Sequence, residues 1–149
     1  MKAIRKRVEQ APEVLEVENI TTELIKDAIG GGWMEVCNFY FPDPQTKDPV
    51  NIIIYGDEEA KLKELPPNFP ISLGPPLMGD VIRGGVLFVG PPDMEGNEQG
   101  VTPEQERAIL SYFDRLRQDW ERFVPREWYE PRSFIMPLTD KEFEEYLGV

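Results

Sequence analysis

The sequence predicts an α+β fold: a mixed β-sheet that opens strand–strand–helix–strand in a β-grasp-like arrangement, with C-terminal helices packed on the sheet. Three observations carry this expectation. Two short runs near the start alternate polar and apolar residues. A capped segment with helical apolar spacing follows them, ending at three consecutive glycines. A longer segment of the same spacing, with its own cap, lies beyond residue 101.

"KAIRKRV" (2–8) and "EVLEVE" (13–18) are two strands of a hairpin, separated by "EQAP". Thr21 occupies the N-cap position of the next element, with Glu23 in its first turn, where a negative charge suits the helix dipole. Ile20 and Ile25 are spaced to staple across that cap. Leu24, Ile25, Ala28 and Ile29 form one apolar face, and "GGG" at 30–32 ends the helix. "WMEVCNFYF" (33–41) and "VNIIIYG" (50–56) are strands, joined by the proline-bearing loop "PDPQTKDP". "DEE" after Gly56 is a turn. The stretch "ELPPNFPISLGPPLMGD" (64–80) holds five prolines and is expected to be an ordered crossing loop.

"GDVIRGGVLFVGPPD" (79–93) has the glycines of a phosphate-binding loop but not their order. Such a loop follows a strand and leads through Lys-Ser/Thr into a helix. Here the glycines precede the apolar run and "PPD" follows it, so the stretch reads as a strand kinked or bulged at Gly84–Gly85, where a missing Cβ permits close backbone approach. "TPEQ" (102–105) is a capping box, and Ile109, Leu110, Phe113, Leu116, Trp120 and Phe123 extend a helix to about Val124. A second capped helix is expected from Thr139. The organisation expected is one domain over 1–149, with a sheet-forming core at 1–100 and a helical extension at 101–149.

Composition limits function. The chain has 149 residues, a net charge of −12, no histidine and one cysteine, Cys37. Acidic residues outnumber basic ones in residues 1–100 and again in 101–149. Direct nucleic-acid binding is therefore disfavoured, because that affinity comes from Lys and Arg neutralising phosphates. Without histidine, the commonest general base, metal ligand and nucleophile partner are missing. No cofactor and no metal are expected. "DMEGNEQGVTPE" (93–104) imitates a calcium loop but carries Glu98 where the sharp turn needs glycine. A solvated acidic loop is expected there. Cys37, inside a strand, reads as a core thiol. No apolar run approaches the roughly 20 residues of a membrane span, and no signal peptide is read, so a cytoplasmic setting is expected.

The order "MKAI… EVLEVEN… LIKDAIGGGWMEV… GDEEAKLKELPPN… GDVIRGGVLFVG… VTPEQERAIL" resembles a family of small bacterial, plasmid and phage proteins that carries only a domain-of-unknown-function label. The resemblance covers about residues 1–115 and is most distinctive at "KLKELPPN" (61–68) and "GDVIRGGVLFVG" (79–90). Ala60 stands where a turn glycine is usual, and the aromatic extension from Trp120 to Val149 is a further departure. The resemblance implies a phage or mobile-element context and no catalytic residues.

The function expected is that of a non-enzymatic accessory protein binding a host or phage protein. Two alternatives stay open: an acidic DNA mimic directed at a DNA-binding defence protein, and a nucleotide-binding or sequestering protein. Candidate binding residues are Trp33, Tyr40, Asn68, Asp80, Arg83, Trp128 and Tyr129, chosen as chemically capable positions near the family-like motifs or among the aromatics.

Overall fold

The computed structural model describes residues 1–72 and 79–118, with side chains described for 1–69 and 82–116. The chain runs β1 (Lys2–Lys6), β2 (Glu13–Glu16), α1 (Thr22–Ile29), β3 (Met34–Pro42), β4 (Pro49–Asp57), β5 (Pro67–Ser72), β6 (Gly79–Arg83), β7 (Val86–Val89) and α2 (Pro103–Gln118). The class is α+β, and the strand–strand–helix–strand opening is present. Five strands form one sheet in the order β2-β1-β7-β4-β3; β5 and β6 form a separate ribbon. All of these pairings are antiparallel, so the mixed character expected of the sheet does not extend to strand direction.

Side-chain alternation divides the core into two. Even-numbered Ile4, Val50, Ile52, Ile54, Val86 and Phe88 face one side of the sheet, where α2 contributes Ala108, Ile109, Phe113 and Leu116. Odd-numbered Ala3, Ile53, Tyr55, Leu87 and Val89 face the other, under Ile25, Ala28 and Ile29 of α1. Strand β7 is buried on both faces because it is the middle strand. The result is three layers, with a helix on each side of the sheet.

The helix ends follow the capping chemistry read from sequence. Thr21 Oγ1 accepts the Leu24 N–H at 3.1 Å, and Gly30 is left-handed, its N–H returning to the Lys26 carbonyl. At α2 the box is reciprocal: the Gln105 N–H donates to Thr102 Oγ1 at 3.2 Å, and the Thr102 N–H donates to Gln105 Oε1 at 2.8 Å. Residues 119–124 of the longer helix expected, and the helix from Thr139, lie outside the described residues.

Two expectations need correction. The proline-rich stretch is not wholly a crossing loop, since Pro67–Ser72 form β5 and pair with β6. A two-stranded ribbon has an open side, and a residue without an N–H is tolerated where that N–H would point outward. The register shift between Pro67 and Phe69 absorbs the irregularity. The strand expected to bulge at Gly84–Gly85 is instead two strands in two sheets, β6 in the ribbon and β7 in the main sheet. Gly84 takes a φ of +75°, which turns the chain from one sheet to the other. The close approach is real: a Cβ on Gly85 would collide with the carbonyl oxygen of Ala28, so the C-terminal turn of α1 rests directly on this backbone.

Candidate functional site

The two most distinctive family-like stretches meet at one residue. Asn68, the end of "KLKELPPN", donates through Nδ2 to the backbone oxygens of Lys6 at 2.9 Å and Gly84 at 2.8 Å. Its Oδ1 accepts from Lys6 Nζ at 2.8 Å. One amide thus ties the end of β1, the start of β5 and the crossing between sheets. Lys6 lies on the α2 side of the sheet, in line with Ile4, and is only 7% exposed. Its ammonium also donates to the Arg7 oxygen at 2.7 Å and stands 5.6 Å from the centre of the Phe113 ring. Burial pulls its pKa down to about 8.

A lysine with a lowered pKa suggests a nucleophile, but this one is already engaged. Its donors serve two oxygens and a ring face, with Phe113 closing over it. The arrangement fixes the fold and offers no open approach for a substrate. Arg83, from the other stretch, donates to the Leu65 carbonyl at 2.9 Å and so holds the loop that delivers Asn68.

Beside this cluster, the "DEE" turn is organised by its first carboxylate. Asp57 Oδ1 accepts the Glu59 N–H at 2.8 Å, and Oδ2 accepts from Lys63 Nζ at 2.8 Å. Burial pushes the Asp57 carboxyl up, but Lys63 and the Glu59 N–H outweigh it and hold it below the usual carboxylate range. At the opposite end of the sheet, buried Asp43 organises the β3–β4 turn. It accepts N–H groups from Gln45 at 2.8 Å and Thr46 at 3.2 Å, and Arg107 of α2 reaches it at 2.9 Å. Arg107 foremost, then the Gln45 N–H, lowers its pKa.

Asp93 spends its carboxylate in the same way, on the N–H groups of Glu95 and Asn97. The acidic loop closes on itself. Among the described residues no three Cys, Asp or Glu side chains converge as a metal site would require.

The candidate residues fall into separate places. Asn68 and Arg83 are structural ties at the Lys6 end of the sheet. Trp33 stands just before β3, its carbonyl accepting the Glu58 N–H at 2.8 Å, and the residue is 74% exposed. Tyr40 lies in the far half of β3 and is 62% exposed. Asp80 pairs with Ile71 in the ribbon; its side chain, with Trp128 and Tyr129, is outside the described residues. Cys37 is half-buried on β3 rather than a core thiol, and burial followed by nearby Glu35 pushes its pKa up.

Sequence reasoning missed Lys6 and Val36. Lys6 was legible through its parity with Ile4, which places it inward. Val36 belongs with Trp33 and Tyr40: it is 57% exposed, on the same face of β3 as Tyr40. That face continues the α1 side of the sheet, where the cluster under α1 takes in Ile53 and Tyr55 of β4 and reaches Met34 at the start of β3, while Val36 and Tyr40 farther along the strand stay exposed. What this surface can do is make contact.

No helix among the described residues is long and apolar enough to cross a membrane. Neither a curated protein nor a solved structure matches the chain. One family does, over residues 1–117, which include both stretches that meet at Asn68. The chain belongs to the family described as Domain of unknown function (DUF3846).

Proposed function

We propose that this chain is a non-enzymatic accessory protein of a phage or other mobile element, acting in the host cytoplasm by binding a protein. The observation that carries the reading is the exposure of Trp33, Val36 and Tyr40 along one edge of the sheet. Aromatic side chains bury large areas at small entropic cost and are enriched where proteins meet. The family-like stretches lend support from the other direction. Lys63, Asn68 and Arg83 of these stretches are engaged in holding the turn, the ribbon and the end of β1 in place.

The test is retention of a partner from a lysate of the native host, with and without phage, on the immobilised full chain. Trp33→Ala/Tyr40→Ser is the comparator. The expected result is one stoichiometric protein, identified by mass spectrometry, that the wild type holds and the variant loses while its circular dichroism spectrum shows the fold intact. Equal retention by both would remove the edge from the reading. Retention that ignores the variant but vanishes with added salt would place binding on the acidic surface instead.

A further inference from the structure

We infer that β3 is the seam of a two-fold dimer, in which two copies of the chain join edge to edge through an antiparallel β3–β3 ladder centred on Asn38. This goes beyond the proposed protein partner, because it says what the binding surface is built from.

The two edges of the sheet are unlike. Natural edge strands are kept from pairing by shortness, charge or proline. The β2 edge follows that rule: four residues with a glutamate at each end, Glu13 being held by Arg5 at 3.1 Å. The β3 edge does not. Its nine residues, "MEVCNFYFP", contain a single charge, Glu35, and a proline only at the last position. Among the described residues nothing pairs with its outer side.

Register then selects the occupant. In a two-fold antiparallel pair that keeps the α1 face continuous, opposed residues have numbers of equal parity. Centring on Asn38 uses the whole strand, from Met34 to Pro42. On the α1 face, exposed Val36 then lies opposite exposed Tyr40 of the second copy, an aromatic–β-branched pair of the kind that stabilises sheets. On the other face, Cys37 lies opposite Phe39 of the second copy, thiol against ring. Glu35 falls opposite Phe41 of the second copy, so no like charges meet. Moving the centre to Cys37 opposes Val36 to an amide and leaves Phe41 and Pro42 unpaired. Moving it to Phe39 brings Glu35 opposite Asp43. The strand is complementary to itself in one register.

The dimer's sheet has ten strands, and on its α1 face the two helices stand apart with Val36, Asn38 and Tyr40 of both copies between them. That trough is a surface twice as long as either copy offers, and it is where the proposed partner would sit.

The experiment is sedimentation of the purified full chain between roughly 1 and 200 µM, where association shows as a concentration-dependent mass. The expected result is a shift to twice the chain mass. Val36→Lys, at an exposed position, is expected to weaken that association at least about tenfold by placing a charge in the seam. In a Cys37→Ser background, Asn38→Cys is expected to form a disulfide-linked dimer on mild oxidation, since directly opposed strand residues stand within disulfide reach. Glu16→Cys on the β2 edge is not. A wild-type chain that stays monomeric throughout overturns the proposal, whether β3 is idle or covered by the chain's own residues beyond 118. A dimer indifferent to Val36→Lys and not trapped through residue 38 overturns it too. Purified protein alone decides this, so its failure is separate from failure to retain a partner.

Discussion

Lys6 is the residue whose chemistry departs furthest from what its type suggests. In an unfolded chain a lysine keeps its proton to near 10.5, whereas folded Lys6 releases it near 8 because its surroundings disfavour the charge. Between those values the unfolded state binds more protons, so this residue makes stability rise with pH across that window. Tyr55, pushed up to about 12 by burial and then by the Glu98 carboxylate, works the other way at higher pH, as does Cys37. Comparison with Lys6→Met cancels both, since they are common to the two proteins. Urea unfolding at several pH values from about 7.5 to 9.5 should show wild type gaining on the variant as pH rises. A constant gap would mean that the ammonium is not burdened by burial. Inwardness of Lys6 was readable from alternation with Ile4; its partner Asn68, 62 positions away, was not. That pairing depends on a strand crossing between two sheets, which no local pattern specifies.

At the scale of elements, caps and periods were legible because they are local. Thr21, Gly30, Thr102 and Gln105 each act within a few residues of themselves, and each does what its type and position indicate. The β5–β6 ribbon was hidden because its prolines argue against a strand, and only its open side makes them acceptable. Gly84–Gly85 was recognised as a site of close backbone approach, but what approaches is the end of α1, a contact set by tertiary packing. This gives two glycines different reasons to be glycine. Gly31 has a φ of +88° with open space around it, so Gly31→Ala should cost about 1 kcal/mol through backbone strain alone. Gly85 is not left-handed, but its Cβ would strike the Ala28 carbonyl, and relief requires α1 to move off the sheet. Gly85→Ala should therefore cost more, roughly 2–4 kcal/mol by the scale of core overpacking. Denaturant unfolding of both variants settles the order, and equal costs would mean that α1 shifts freely.

For the whole molecule the dominant quantity is a net charge of −12, and its value to the fold is mixed. Spread over the surface, like charges repel and disfavour the compact state. Yet several carboxylates are working parts. Glu13 is lowered chiefly by its hydrogen bond from Arg5, Asp43 by Arg107, and Asp93 by the Asn97 N–H. Asp57 ends below its ordinary range despite burial. Composition revealed the repulsion but not these attachments, because sequence does not say which acids meet a donor. The two effects oppose each other on acidification. Repulsion weakens as carboxylates protonate, while each lowered group supplies stability that is present above its unfolded pKa and lost as pH falls through the folded one. Salt separates them, since it screens dispersed surface charge far more than a buried carboxylate held by its own turn and a cation. At about 0.5 M salt, where screening reaches within a few ångströms, stability should fall steadily from pH 6 toward pH 3. Asp43→Asn/Asp57→Asn should start lower and fall less, because each amide lacks the charge that Arg107 and Lys63 answer. Thermal melts across that range at low and high salt make the comparison. Parallel curves for the two proteins at high salt would show that the acidic groups matter only through their sum. Converging curves would show that the fold draws its acid sensitivity from the two turns at opposite ends of the sheet.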